Sequence, residues 1–434
     1  MESGPIRIRL SVMMFGQYVG IGAWAVPLAT YLLARPDQGG LGFSPTQTAW
    51  IYSATAFVGL VAPLMLGLLA DRLFAAQRLL ALLHLAGAGV LYATGRLCAS
   101  QQEIIRAAPD AVGATQSAFL MLMGLMLANA FVVVLTLALC NVTCFRNLKE
   151  PKKSFSGIRL YGTVAWIVVN VAIDLFGDPL SPQPFFIAAG CSLAMGLYSF
   201  TLPHTPPSRQ GRGVGEAIGL PALRMFRDPG FRVLIATALC MAAVQQFYSV
   251  YANPFLKAIG SAKPMALQTL AQVTEVVCMV ALPFALSRFG LKATMALGVA
   301  GWVVRNAIFA TGWLPLVALV GLPLHGLCYT FFFVAANVYV DRHAPTHLKA
   351  SAQGIFTFTS MGVGTLLGNF VAALVLESSA ADGGVSWAWF WLVPAAAAAV
   401  VFVLFVGLFR EGSPVKLDRA KTTGSALQPL ATAR

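Results

Sequence analysis

The chain has 434 residues, 58% of them hydrophobic and only 10% charged, with a formal net charge of +13. A soluble globule carries nearer a quarter charged residues, so this balance, with a mean hydropathy of +0.75, excludes a soluble enzyme, a disordered scaffold and a single-span receptor. Roughly 250 hydrophobic residues suffice for about twelve membrane helices of about 20 residues each.

In chain order, polar breaks predict twelve transmembrane helices, over 10–34, 47–70, 77–97, 116–145, 156–177, 184–203, 231–257, 264–287, 291–311, 315–340, 351–377 and 385–410. The first follows Arg7 and Arg9, as a signal peptide would, but it is too long for a cleaved apolar core and reads as retained. The longest polar segment, 204–230, divides the chain into a six-helix half over 1–203 and another over 231–410, followed by a polar tail over 411–434. Cys98, Cys140, Cys144, Cys191, Cys240, Cys278 and Cys328 lie in or beside apolar runs without metal or disulfide spacing, which suits packing.

Most of the 29 Lys and Arg fall in alternate loops that share a side with the N-terminus, so the expectation is a multi-pass protein of a bacterial inner membrane with both termini cytoplasmic. The same spread over many short loops explains the positive charge without a nucleic-acid partner. The loop after the second span, Gly67-Leu68-Leu69-Ala70-Asp71-Arg72, resembles the cytoplasmic loop signature of the major facilitator transporters. It makes Asp71 and Arg72 candidate gating residues; the plain alternative is a solvated turn. Its counterpart, Leu286 to Lys292, keeps Arg288 and Gly290 but has no acid.

An ionisable side chain in hydrocarbon costs about 2.5–3.5 kcal/mol on insertion scales, so each one needs a reason. Glu275 is the acid nearest the middle of a predicted span, with Gln272 one turn before it on the same face. Such a carboxylate is a candidate proton carrier, or a structural acid held by neighbouring helices. Arg159, Thr163 and Trp166 form one stripe on the fifth span, although Arg159 lies near the cytoplasmic end and can instead snorkel to headgroups. The seventh span carries Gln245, Gln246 and Ser249, which either bind a solute or knit helices together. On the tenth, His325 and Tyr329 share a face beside Thr330, and His325 can carry a proton, donate to a solute or pack. Arg305 on the ninth span reads as structural, paired with a carbonyl or an acid. Together these groups suit a planar ring bearing several hydroxyls: a nucleoside, or a glycoside.

At these residues the chain resembles the nucleoside:proton symporters, bacterial nucleoside permeases of the major facilitator superfamily. The likeness spans nearly the whole length. It is most specific in Arg159-Leu160-Tyr161-Gly162-Thr163, Ala271-Gln272-Val273-Thr274-Glu275, Leu282 to Gly290 and Ala350-Ser351-Ala352-Gln353-Gly354. The resemblance implies an all-α membrane protein of the major facilitator fold. It also implies that Arg159, Thr163, Trp166, Gln246, Ser249, Gln272, Glu275, His325 and Tyr329 surround the solute, with Ser249 standing where the family has Asn. The family pattern has Asp where this chain has Thr330, an acid implicated in proton coupling and binding. Its loss leaves coupling through Glu275 alone, coupling helped by His325, or facilitated diffusion.

The expectation is therefore a secondary active transporter that imports nucleosides by alternating access, coupled to protons through Glu275 and His325. Its partners would be a nucleoside, a proton and the lipid bilayer, with no cofactor, metal or catalytic residue. The alternatives are a permease for a glycoside or sugar, and an uncoupled facilitator. An intramembrane enzyme is disfavoured, because the chain has no Gly-x-Ser-x-Gly elbow or His-Glu-x-x-His pair. Gly362, Gly364 and Gly368 read as a helix-packing stripe.

Overall fold

Long apolar runs free of charge can satisfy their backbone in lipid only as helices, and the computed structural model is almost entirely helical. It describes residues 4–72, 74–107, 112–206, 220–346, 348–381 and 384–411. Most of the central polar segment and of the tail lie outside the described residues, as do the side chains of Asp71 and Arg72. The helices are α1 (Gly4–Ala25), α2 (Leu28–Leu33), α3 (Pro45–Arg72), α4 (Ala76–Ala107), α5 (Val112–Asn147), α6 (Pro151–Phe176), α7 (Gln183–Ser199), α8 (Pro229–Ala258) and α9 (Pro264–Ala310). They continue as α10 (Leu314–Gly321), α11 (Leu324–His343), α12 (Lys349–Ser378) and α13 (Trp387–Leu408). A two-residue antiparallel pair, β1 (Ala380–Ala381) with β2 (Gly384–Val385), precedes α13.

Among the described residues, eight helices are long and apolar enough to cross a membrane, or nine if α10 and α11, bent by 41°, form one span. The 47-residue α9 covers both the eighth and ninth expected spans. Its two legs meet at Gly290, whose φ of 77° only glycine adopts without strain. The expected loop has shrunk to that residue. With α3 and the 17-residue α7, each expected span has a helical counterpart. The largest difference in edges is α4, expected to stop at 97 but continuing to Ala107 through Gln101, Gln102 and Glu103, which are polar but good helix formers.

The first span is broken. Pro27 lies in the turn between α1 and α2, and the rung from the Ala29 N–H to the Ala25 carbonyl is filled by the Tyr52 hydroxyl. That hydroxyl accepts from Ala29 at 3.1 Å and donates to Ala25 at 3.0 Å. At the start of α8, the Asp228 carboxylate caps the helix, accepting from the Gly230 and Phe231 amides at 3.1 and 3.2 Å.

Helices α1 to α7 pack largely on one another, as do α8 to α13, and the two groups meet where α2 lies on α8, α3 on α12 and α6 on α9. Small residues allow close approach within the groups. Gly364 and Gly368 of α12 lie against Ala242 and Ala243 of α8, where a Cβ would not fit. Outward faces carry Val280, Phe284, Leu319 and Val403, apolar and exposed, as suits a protein solvated by acyl chains.

Candidate functional site

Where the two groups of helices meet lies a central cavity of about 290 Å³. The broken rung contributes Ala25, Val26 and Tyr52; α6 contributes Trp166 and Asn170; α8 contributes Gln245, Tyr248 and Ser249. Met265, Gln268, Thr269 and Gln272 come from α9, and His325 from α11. Aromatic rings and amides share the wall, the mix that orients a small polar solute in an apolar setting.

Of the residues singled out in the sequence, Trp166, Gln245, Ser249, Gln272 and His325 line this cavity. Tyr329 sits behind His325, their rings stacked with centroids 6.0 Å apart. Arg159 lies further along α6, its guanidinium 4.3 Å from the centre of the Tyr18 ring. Glu275, half-buried one turn beyond Gln272, shares an electrostatic field with Arg159, Tyr18 and Tyr329. Among the described residues, Arg159 and Glu275 are not joined as an ion pair within 4 Å. Thr163 stands between Arg159 and Trp166 without reaching the cavity wall. Gln246 also stays off the wall: its side chain packs where Gly368 passes, and its Nε2 donates to the Ala242 carbonyl at 3.4 Å. Gln245, one residue earlier, takes the cavity position.

The sequence reading does not single out Asn170 and Gln268, although both are within reach of its pattern. Asn170 extends the Arg159–Thr163–Trp166 stripe by one turn, and Gln268 precedes Gln272 by one turn. Met265, Thr269 and Tyr248 carry no such signal.

Arg305 is fully buried on the second leg of α9. Its partners are neither an acid nor a backbone carbonyl: it donates to His325 Nδ1 at 2.9 Å and to Gln245 Oε1 at 3.5 Å, and its guanidinium lies 4.6 Å from the centre of the Tyr248 ring. Arg can only donate, so His325 Nδ1 is an acceptor and the ring is neutral with its proton on Nε2. The Thr330 hydroxyl is buried without a hydrogen-bond partner.

The cavity is sealed at one end. Thr30 donates to Asn253 Oδ1 at 2.6 Å, and the Asp174 carboxylate accepts from the Ala266 amide at 2.9 Å in the first turn of α9. Thr46 donates to Glu377 at 2.7 Å, and Asn369 to Ser53 at 3.1 Å. Among the described residues, all of the hydrogen bonds joining the two helix groups belong to this half of the molecule. Asp174 caps a helix of the opposite group, a charge-assisted contact favoured by the helix dipole. Asp174→Ala is expected to weaken the seal by about 1.5–3 kcal/mol, roughly tenfold or more in the open-to-closed ratio. Labelling of Ser249→Cys by an impermeant maleimide applied from the sealed side should rise accordingly; unchanged labelling would show that Asp174 does not hold that end.

Known proteins carry the same architecture. YegT of Escherichia coli (strain K12) is 33% identical over 433 residues, covering 94% of this chain and 96% of that protein. A xanthosine permease of the same organism is 30% identical, covering 96% of this chain and 99% of its own. The crystal structure of a point mutant of the nucleoside transporter NupG superposes with a TM-score of 0.82 at 25% identity, covering 93% of this chain and 100% of that one. The fold is that of the major facilitator transporters. The family model described as nucleoside H+ symporter matches residues 5–413, and with that span and those relatives the chain belongs to the nucleoside H+ symporter family.

Proposed function

We propose that this protein imports nucleosides with protons across the bacterial inner membrane by alternating access. The observation that carries the reading is the central cavity, polar and aromatic, sealed at one end and flanked by Glu275 and Arg159. The base would lie against Trp166, its edge and the ribose hydroxyls meeting Gln245, Gln272 and Glu275. Arg159 would bind solute or bias the ionisation of Glu275. Tyr329 and Thr163 would support that wall from behind, and Gln246 would reach the solute only in another conformational state.

The distribution of Lys and Arg supports both termini being cytoplasmic, which makes the sealed end extracellular. The halves over 1–203 and 231–410 would rock about the cavity, linked by 204–230, with 411–434 as a tail in the cytoplasm. Asp71 and Arg72 end α3 on the inner side and would pair across the halves when that side closes. Glu275 is the proton carrier in this scheme. His325, whose Nδ1 already accepts from Arg305, serves as a donor and not as a carrier.

Uridine uptake in a bacterium lacking its own nucleoside transporters tests the reading. Accumulation above the external concentration is expected, with an uncoupler reducing it to equilibration. Accumulation that survives the uncoupler would remove the proton. Uptake of a labelled sugar, with no competition from adenosine or uridine, would replace the nucleoside by a glycoside-type solute.

A further inference from the structure

The Arg305 cluster does more than bury a cation. Gln245 Oε1 receives the Trp302 indole N–H at 3.1 Å and the Arg305 guanidinium at 3.5 Å, both obligate donors. Its amide is thereby oriented with Nε2 outward, where one N–H is donated to the Ser249 hydroxyl on the cavity wall at 3.3 Å and the second is left for a solute. His325 is fixed in the same sense: Nδ1 is spent on Arg305, and the remaining ring nitrogen is an N–H with no hydrogen-bond partner among the described residues. The acceptor atoms of two neighbouring wall residues are therefore turned away from the cavity, and their donors turned towards it.

Behind them stands a full positive charge. Arg305 has His325, Gln245, Tyr248 and Cys328 for electrostatic neighbours, and among the described residues no carboxylate pairs with it. A solute entering the cavity thus meets donors backed by positive charge on this wall.

We propose that this polarity selects the base: Arg305 acts as a positioning residue that holds Gln245 and His325 as donors, and the site prefers nucleosides with a carbonyl on the base edge over those with an exocyclic amine. An oxo group accepts from both N–H groups, whereas an amino group there places donor against donor and leaves buried polar groups unpaired. This assignment rests on the nucleoside reading and gives it a substrate class.

The test uses matched pairs, inosine with adenosine and uridine with cytidine, and measures Kd by calorimetry on the purified full chain. In each pair the oxo member is expected to bind roughly tenfold more tightly. His325→Phe should bring that ratio close to one by weakening the oxo member. Arg305→Met should do the same, because His325 and the Gln245 amide are then free to turn, and Arg305→Lys should restore part of the ratio. A merely structural arginine would alter both members of a pair alike. Equal affinities in the unaltered protein, or a ratio that survives both His325→Phe and Arg305→Met, overturn the assignment. Should Arg305→Met fail to fold, His325→Phe decides alone. Binding without discrimination sinks this assignment only, whereas no binding of any of the four sinks the nucleoside reading and the assignment with it.

Discussion

Glu275→Gln is expected to end concentrative uptake while leaving exchange of solute across the membrane. The amide keeps the shape of the acid and can still hydrogen-bond a ribose hydroxyl, but it cannot take up and release a proton. Since a ligand drives a conformational cycle only through its different affinity for the two states, losing the proton uncouples the gradient from the return step. Vesicles with an imposed pH gradient should show accumulation falling at least tenfold, to roughly the external concentration. Counterflow of labelled against unlabelled solute should continue. Normal accumulation by the variant would take Glu275 out of coupling. Arg159, near enough to share its field, then becomes the next group to test.

The second large effect lies one helix away. Gly326 of α11 crosses α9 so closely that a Cβ there would overlap the Thr274 carbonyl and the Glu275 amide. These are backbone atoms, which cannot rotate aside as a long side chain does. Gly326→Ala should therefore force the helices apart, costing about 1–3 kcal/mol of stability as an overpacked contact. Transport should fall further than stability, because Gln272, Glu275, His325 and Tyr329 all ride on this crossing. Gly89→Ala is the comparison: nothing lies within 4 Å of a Cβ at that position, and the change should be neutral or stabilising by about 0.5–1 kcal/mol. Equal melting temperatures for the two variants would contradict the close crossing.

The legibility of this molecule follows from its solvent. Lipid makes charge rare, so the few ionisable residues inside spans stand out in the sequence as isolated features. Glu275, Arg159, Arg305 and His325 are all visible for that reason. Helical spacing then places Trp166 and Gln272 on the correct faces, and both line the cavity. The same spacing, carried one turn further, reaches Asn170 and Gln268. Two kinds of feature are not legible. One is the choice between adjacent glutamines: Gln245 and Gln246 differ by only about 100° around the helix, and the approach of Gly368 takes up the space beside Gln246. The other is contact between helices remote in sequence, such as the Tyr52 hydroxyl in the broken rung, or Arg305 meeting a ring nitrogen where an acid is one of the partners expected. Residue types and periods give faces. They do not give the partner across a helix crossing.

Thr330, sealed in an apolar layer with its hydroxyl unused, bears on energetics as well as chemistry. With a neutral side chain there, the scheme has one titrating acid, and one electrical charge moves inward per neutral solute carried. A single charge crossing 100 mV supplies about 2.3 kcal/mol, which sets the ceiling of enrichment at roughly 50-fold for each 100 mV of driving force. A carrier loading two protons would reach the square of that figure, so the steady-state gradient of solute, read against membrane voltage, counts the acids at work.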